Sequence, residues 1–290
     1  MKRVVVICLC CLLCGLRTSA IEISPADSAV FKAFWQYAAE QELYKLSVSK
    51  RIPLIGLFFL GTPYQGGTLN TCTEELPVIN LRELDCVTFV EVTMALAFLE
   101  KYDENSIEPF VRNLIKLRYR NAEIVDYTSR LHYSSDWLYE IDRTGIVRDV
   151  TAQAGGEKCS FNVSFMTENP SRYPALKNAP QLQKKMKGIE AAINRRTYHY
   201  IPQDKIGKSL YKIKSGDVVL ITTNIKGLDT SHVGFAILVD GKMHLLHASL
   251  TEKKVVVSEN MLHHYVLGNA RQTGIMLARV HPVEEMFLEN

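Results

Sequence analysis

Apolar positions along this chain change their rhythm near residue 216. Before that point they recur at helical intervals, and after it they gather into short β-rich runs divided by turns. Ser24-Pro25 reads as an N-cap followed by a first-turn proline, and the pattern from Ala26 to Leu46 is largely helical. A second helix, about Val48 to Leu60, should stop at Gly61, where the turn-rich segment Gly61-Thr62-Pro63-Tyr64-Gln65-Gly66-Gly67 begins. Residues 86–100, CVTFVEVTMALAFLE, are apolar almost all round, which marks a buried helix with Phe89, Val90 and Leu96 in the core. The mixed region 102–214 predicts helices near 107–119, 135–143 and 180–194, with short strands near 146–151 and 197–201. GDVVLIT, HVGFAILV, KMHLLHAS and GIMLARV then predict four strands. Helices first and an antiparallel sheet afterwards make an α+β fold. With no repeat or low-complexity linker, residues 21–290 read as a single domain in which about 102–214 is an elaborated insertion.

The first twenty residues stand apart. Lys2 and Arg3, the apolar run from Val4 to Leu16 and the small residues Thr18-Ser19-Ala20 have the three parts of a signal peptide, 1–20, with cleavage expected after Ala20. The run is short of the roughly 20 residues of a membrane span, and Leu13 before Cys14 fits lipoprotein processing poorly. Without Lys2, Arg3 and Arg17 the 34 basic residues become 31, equal to the 31 acidic ones. A neutral mature chain carries no charge footprint for nucleic acid or an anionic membrane. With 47% hydrophobic and 22% charged residues, composition excludes wholesale disorder. An exported monomer, periplasmic or at the cell surface of a bacterium, is the expectation.

Removal of the leader takes four of seven cysteines and leaves Cys72, Cys86 and Cys159, an odd number for an oxidising compartment. Whether Cys72 and Cys159 pair is open. Cys86 lies where a loop becomes the buried helix. With Asp85 as N-cap, its sulfur would sit among unpaired backbone N–H groups at the positive end of the helix dipole. Both effects should lower the thiol pKa, so that Cys86 reacts well below pH 8, and the same N–H groups could hold an oxyanion.

A base for that thiol follows from register. Asp240-Gly241 is the strongest hairpin signal in the chain. A two-residue turn there pairs Val239 with Lys242, sets Gly234 opposite His247 and His232 opposite Ser249, and sends His244 to the other face. His232 and His247 then lie diagonally on one face, about 7 Å apart at Cα. A cysteine, a histidine and a second polar group orienting that histidine form a thiol-hydrolase arrangement. Zinc is the rival use of these residue types, but no close C-x-x-C or H-x-x-x-H pair supports it, and no metal or cofactor is expected. His263-His264 reads as solvated, and Asn162-Val163-Ser164 matches a glycosylation sequon.

GTPYQGGTL at 61–69, LDCVTFVE at 84–91, SGDVV at 215–219, SHVGFA at 231–236 and LLHAS at 245–249 together resemble the NlpC-type superfamily of papain-fold cysteine peptidases acting on bacterial cell-wall peptide. More narrowly they resemble its N-acetylmuramoyl-L-alanine amidase branch with a long insertion, once a domain of unknown function. The resemblance covers nearly all of residues 25–285. It implies a papain-like fold, Cys86 as nucleophile, His232 as general base and acid, His247 as the polar third member, and Tyr64 bordering the thiol. SRLHYSSDWL at 129–138 resembles a substrate-facing segment, which places Arg130, His132, Tyr133, Asp136 and Trp137 along the cleft. The implied substrate is peptidoglycan or a muropeptide, cut between N-acetylmuramic acid, in its anhydro form by preference, and L-Ala. An endopeptidase cutting after D-Glu, a non-catalytic wall-binding module and a metal-dependent hydrolase are the competing readings.

Overall fold

The computed structural model describes residues 23–70 and 75–280. The expected leader, its cleavage point and Cys72 lie outside the described residues. The helices are α1 (Pro25–Glu40), α2 (Val48–Phe58), α3 (Cys86–Ala97), α4 (Ile107–Arg118), α5 (Ser134–Arg143), α6 (Phe165–Glu168), α7 (Pro180–Asn194), α8 (Ile206–Ser209) and α9 (Leu262–Leu267). The strands are β1 (Val147–Asp149), β2 (Glu157–Cys159), β3 (Tyr198–Pro202), β4 (Val218–Thr223), β5 (Thr230–Val239), β6 (Lys242–Ser249), β7 (Lys254–Val257) and β8 (Gln272–Val280). They form one antiparallel sheet in the order β2-β3-β8-β4-β5-β6-β7, with β1 also paired to β8. The chain is therefore α+β, with helices leading and most of the sheet following.

Local chemistry sets the boundaries. Ser24 caps α1 by accepting from Asp27 N at 3.0 Å, and Pro25 opens its first turn. The helix ends at Glu40, short of the expected Leu46, because Glu42 takes a left-handed backbone and a 3-10 turn over Leu43–Lys45 follows. The sequence pattern does not expose β2, β7, α6, α8 or α9. Each is too short to show a period, and each is held by what it packs on rather than by its own propensity.

The sheet divides the core. On one face Val218, Leu220, Val233, Phe235 and Leu246 meet α1 to α4, and on the other Val219, Ile221, Ala236, Leu245 and Leu277 meet Ile206, Leu262 and Val266. A third cluster, containing Tyr133, Met166, Met186 and Tyr198, belongs to the insertion. Helix α3 is sunk in the first: Phe89 to Ala97 are all buried, and Phe89 meets Phe235 edge-on with centroids 5.6 Å apart. Such a ring pair adds about 1 kcal/mol to the burial itself. Both ends of α3 are tied. Asp85 accepts from Thr88 N at 2.8 Å while Thr88 Oγ1 accepts from Asp85 N at 2.9 Å, and Arg51 donates to Ala97 O and Leu99 O at the far end.

Candidate active site

The hairpin turns at Asp240 and Gly241, whose φ values of 49° and 74° match a two-residue turn of the primed type. The β5–β6 ladder runs from Val239–Lys242 to Phe235–Leu246, the expected register, and stops there. Beyond it β6 stays with β7. On the other side of β5, Ile221 pairs with His232 and Thr222 with Thr230, so Ser231 is the extra residue of a bulge immediately before His232. The ladder's end leaves a gap at the start of β5, where the start of α3 approaches: the backbone N–H of Val233 lies close enough to the Cys86 sulfur to favour its thiolate.

Across the same gap His232 Nε2 and His247 Nδ1 lie 2.6 Å apart, with the rings edge to face and their centroids 4.8 Å apart. Gly234 permits this approach. A Cβ there would stand 2.8 Å from Leu246 O and 2.9 Å from the His247 Cβ, so a side chain at 234 would push the strands apart. His244 turns away and bonds Ser258 O at 2.9 Å through Nδ1.

His247 is buried, Cys86 and His232 are half-buried, and the titratable groups respond to that enclosure. Burial pushes the Cys86 thiol up to about 12 and the charge of Asp85 adds to the rise, while the N–H groups of Val233, Val87 and Cys86 pull it down. The sequence-based expectation of a lowered thiol pKa is therefore corrected: the helix start acts in the expected direction, but desolvation outweighs it. Burial lowers His232 to about 4, and burial with the adjacent His232 charge lowers His247 to about 3. At neutral pH the resting pair is thus a thiol and a neutral imidazole. Tyr64 is fixed through its backbone, which donates to Lys253 O at 2.8 Å and bridges to Leu84. Burial, then the charges of Cys86 and Asp85, raise its phenol to about 12.

The insertion residues divide. His132 is half-buried with Nε2 on Tyr127 O at 2.8 Å. Burial first, then Arg130, lowers its pKa to about 3. With Val87, Ser134, Trp137 and Val233 it borders a small cavity of 30 Å³ beside the thiol helix. Arg130 is committed to a two-pronged pair with Glu75, at 2.8 and 2.7 Å, on the wall of a separate cavity of 640 Å³ with Asn70, Tyr127, Pro174 and Leu182. Tyr133, Asp136 and Trp137 are buried side chains engaged within the protein, Trp137 at the rim of the small cavity. Tyr133 is 2% exposed and donates to Glu190 at 2.7 Å. Asp136, 1% exposed, is held by Arg120 and Arg196. Trp137 Nε1 closes the end of α4 by donating to Leu117 O at 2.9 Å. These three side chains hold the insertion together.

Two groups near the site escaped the sequence pattern. Tyr265 on α9 places its ring 5.2 Å from that of His247, at 70°. The stretch around it is thus helical rather than loose, and His263 is half-buried while His264 is exposed. Leu262 and Val266, four apart and both buried, were the signal available. Asp229 accepts from Ser135 N at 2.6 Å and Thr230 N at 2.7 Å, which ties the start of β5 to the first turn of α5. Among the described residues Cys159 on β2 has no disulfide partner. Among the described residues no three metal-ligating side chains cluster, and no helix is long and apolar enough to cross a membrane.

A family model described as AmiA-like, N-acetylmuramoyl-L-alanine amidase-like, matches residues 54–275, which takes in α3, the hairpin and the whole insertion. The chain belongs to this family. The amidase-like chain is also similar to solved structures. An N-acetylmuramoyl-L-alanine amidase of Bacteroides uniformis is 39% identical with a TM-score of 0.77, over 81% of this chain and 99% of that one. A Bacteroides fragilis protein with a provisional xylanase description is 42% identical with a TM-score of 0.74, over 78% of this chain and 99% of that one. A Legionella pneumophila protein assigned to the DUF1460 family shares the fold at 23% identity and a TM-score of 0.63, over 88% and 97%. Comparison with the curated proteins gives no match.

Proposed function

We propose that the chain is a cysteine-dependent N-acetylmuramoyl-L-alanine amidase of the NlpC-type, papain-like kind, exported by its leader and acting on peptidoglycan fragments outside the cytoplasm. The observation that carries this reading is the α3–β5 corner. The backbone N–H of Val233, the residue next to His232, is near enough to the Cys86 sulfur to favour its thiolate, and His232 is itself held at 2.6 Å by His247. Because Nε2 of His232 is occupied by His247, Nδ1 is the nitrogen that takes the thiol proton. Sulfur then attacks the lactyl carbonyl of N-acetylmuramic acid as the proton leaves, so the neutral pair needs no standing thiolate. Backbone N–H groups at the start of α3, with Tyr64 beside them, stabilise the oxyanion. The imidazolium of His232 gives its proton to the departing amine of L-Ala. Water activated by the same imidazole hydrolyses the thioester and restores the thiol.

The family and the Bacteroides uniformis amidase support the sugar–peptide bond as the target. A xylanase reading would need two carboxyl groups flanking a glycosidic oxygen. The carboxylate beside the thiol is Asp85, and it is engaged as the cap of α3. Cutting after D-Glu uses the same three side chains and differs only in how the cleft seats the peptide. Mass spectrometry of a digested muropeptide set, anhydro and reducing, separates the two through free stem peptide against shortened stems. Cys86→Ala should keep the wild-type melting transition and lose at least about a thousandfold in turnover. A purified Cys86→Ala protein that releases peptide at the wild-type rate would overturn the mechanism.

A further inference from the structure

His247 is enclosed by two rings. His232 meets it at 4.8 Å and 89°, and Tyr265 meets it at 5.2 Å and 70°. Tyr265 is placed there by independent ties. Leu262 and Val266 anchor α9 in the second core cluster, and the segment before it is pinned to β6 next to His247, with Ser258 N donating to Leu245 O at 2.7 Å and Leu245 N to Ser258 Oγ at 3.0 Å. Strand β6 thus carries His247 and also fixes the helix that covers it. An imidazole can turn about its last side-chain bond, and a rotation of His247 would break its bond to His232.

We propose that Tyr265 is a positioning residue of this site: its ring locks His247 in the orientation that holds Nε2 of His232 and keeps water from His247. The proposal rests on the thiol-hydrolase reading for its effect on turnover, and on geometry alone for its effect on the histidines. Among the described residues, Tyr265 of α9 meets the pair through His247, β4 sets Ile221 beside His232 and β7 sets Val256 beside His247. Cys86 at the start of α3 interacts with Tyr265, and Asp85 and Tyr64 lie beside that thiol. Among the described residues no carboxylate bonds either ring; burial lowers both imidazoles, the His232 charge lowers His247 further, and the Tyr265 ring is one wall of the enclosure around His247.

The test compares Tyr265→Ser with Tyr265→Phe in the full chain. Tyr265→Ser should lower kcat at least about tenfold with KM within about twofold, because His247 acts on the base and not on substrate. The acid limb of its kcat/KM profile should move up toward neutrality, since a wetted imidazole is protonated more readily. Imidazole NMR titrations of His232 and His247 should move the same way. Tyr265→Phe, which keeps the ring, should restore the rate and both titrations. An unmoved acid limb in Tyr265→Ser, or a Tyr265→Phe protein as impaired as Tyr265→Ser, overturns the proposal. Should even the wild type release no peptide from muropeptides, the substrate reading fails, while the NMR titrations still decide the role of Tyr265.

Discussion

The α3–β5 corner holds a thiol at the helix start, two imidazoles in contact with each other and flanking phenols, and burial favours the uncharged form of the thiol and of both imidazoles. Between α5 and α7 the opposite holds: Arg120 and Arg196 both clamp Asp136 and Glu140, and Arg196 also lies 3.7 Å from the centre of the Tyr139 ring. The insertion's own apolar cluster is small, and these buried ion pairs tie α5 to the segments that follow α4 and α7. The corner cannot use them. A cation beside Cys86 would hold a standing thiolate, and a carboxylate on His247 would hold a standing imidazolium. A neutral pair instead lets the proton move only as the substrate carbonyl arrives. The difference teaches that ion pairs build the frame here and are withheld from the chemistry.

The strongest way to break that comparison is acid. His232 and His247 have folded pKa values lowered to about 4 and about 3, against 6.5 for an ordinary histidine. As pH falls below 6.5 the unfolded chain takes protons that the folded chain refuses, so stability drops with falling pH until the folded values are reached. Each group contributes up to about 1.4 kcal/mol per pH unit in that window, less where His232 is solvated. Urea melts from pH 7 to 4.5 should show this slope, and His232→Gln/His247→Gln should lose the share of these two and leave that of His132, itself lowered to about 3. An unchanged slope in the double variant would mean that the corner is wet.

Next in size is the frame. Asp136→Ala leaves Arg120 and Arg196 with only Glu140 of their two shared buried partners and should cost about 3 kcal/mol in a denaturant melt. The rate of Cys86 labelling by iodoacetamide in the folded protein should not change. A labelling rate that moved with Asp136 would join the two regions that the structure keeps apart. The smallest effect belongs to Asp85→Asn. Asparagine also caps a helix, so stability should change by about 0.5 kcal/mol or less. Loss of the carboxylate removes one of the two effects that raise the thiol, so labelling at pH 8 should rise several-fold.

Much of the corner could be read along the chain because its determinants are local or periodic. The Asp85 cap, the all-round apolar α3 and the Asp240-Gly241 turn are short-range signals, and turn length with strand alternation was enough to put His232 and His247 on one face. The insertion was legible as helices and not as a surface. Tyr133, Asp136 and Trp137 have the polar and aromatic character of cleft residues, yet their partners Glu190, Arg196 and Leu117 O come from elsewhere in the chain. The bulge at Ser231, the gap it opens and the ring of Tyr265 depend on strand pairs far apart in sequence.

By itself the sequence determined which residues could do chemistry and on which elements they ride: a helix-start cysteine, two histidines in register across a tight turn, and an α+β order of elements. Only the tertiary structure decided the protonation states and the company those residues keep. A pKa depends on solvent excluded from every side, and exclusion is a property of packed elements, not of neighbours in the chain. For that reason the helix start promised an activated thiol, and the closed corner delivered a neutral one.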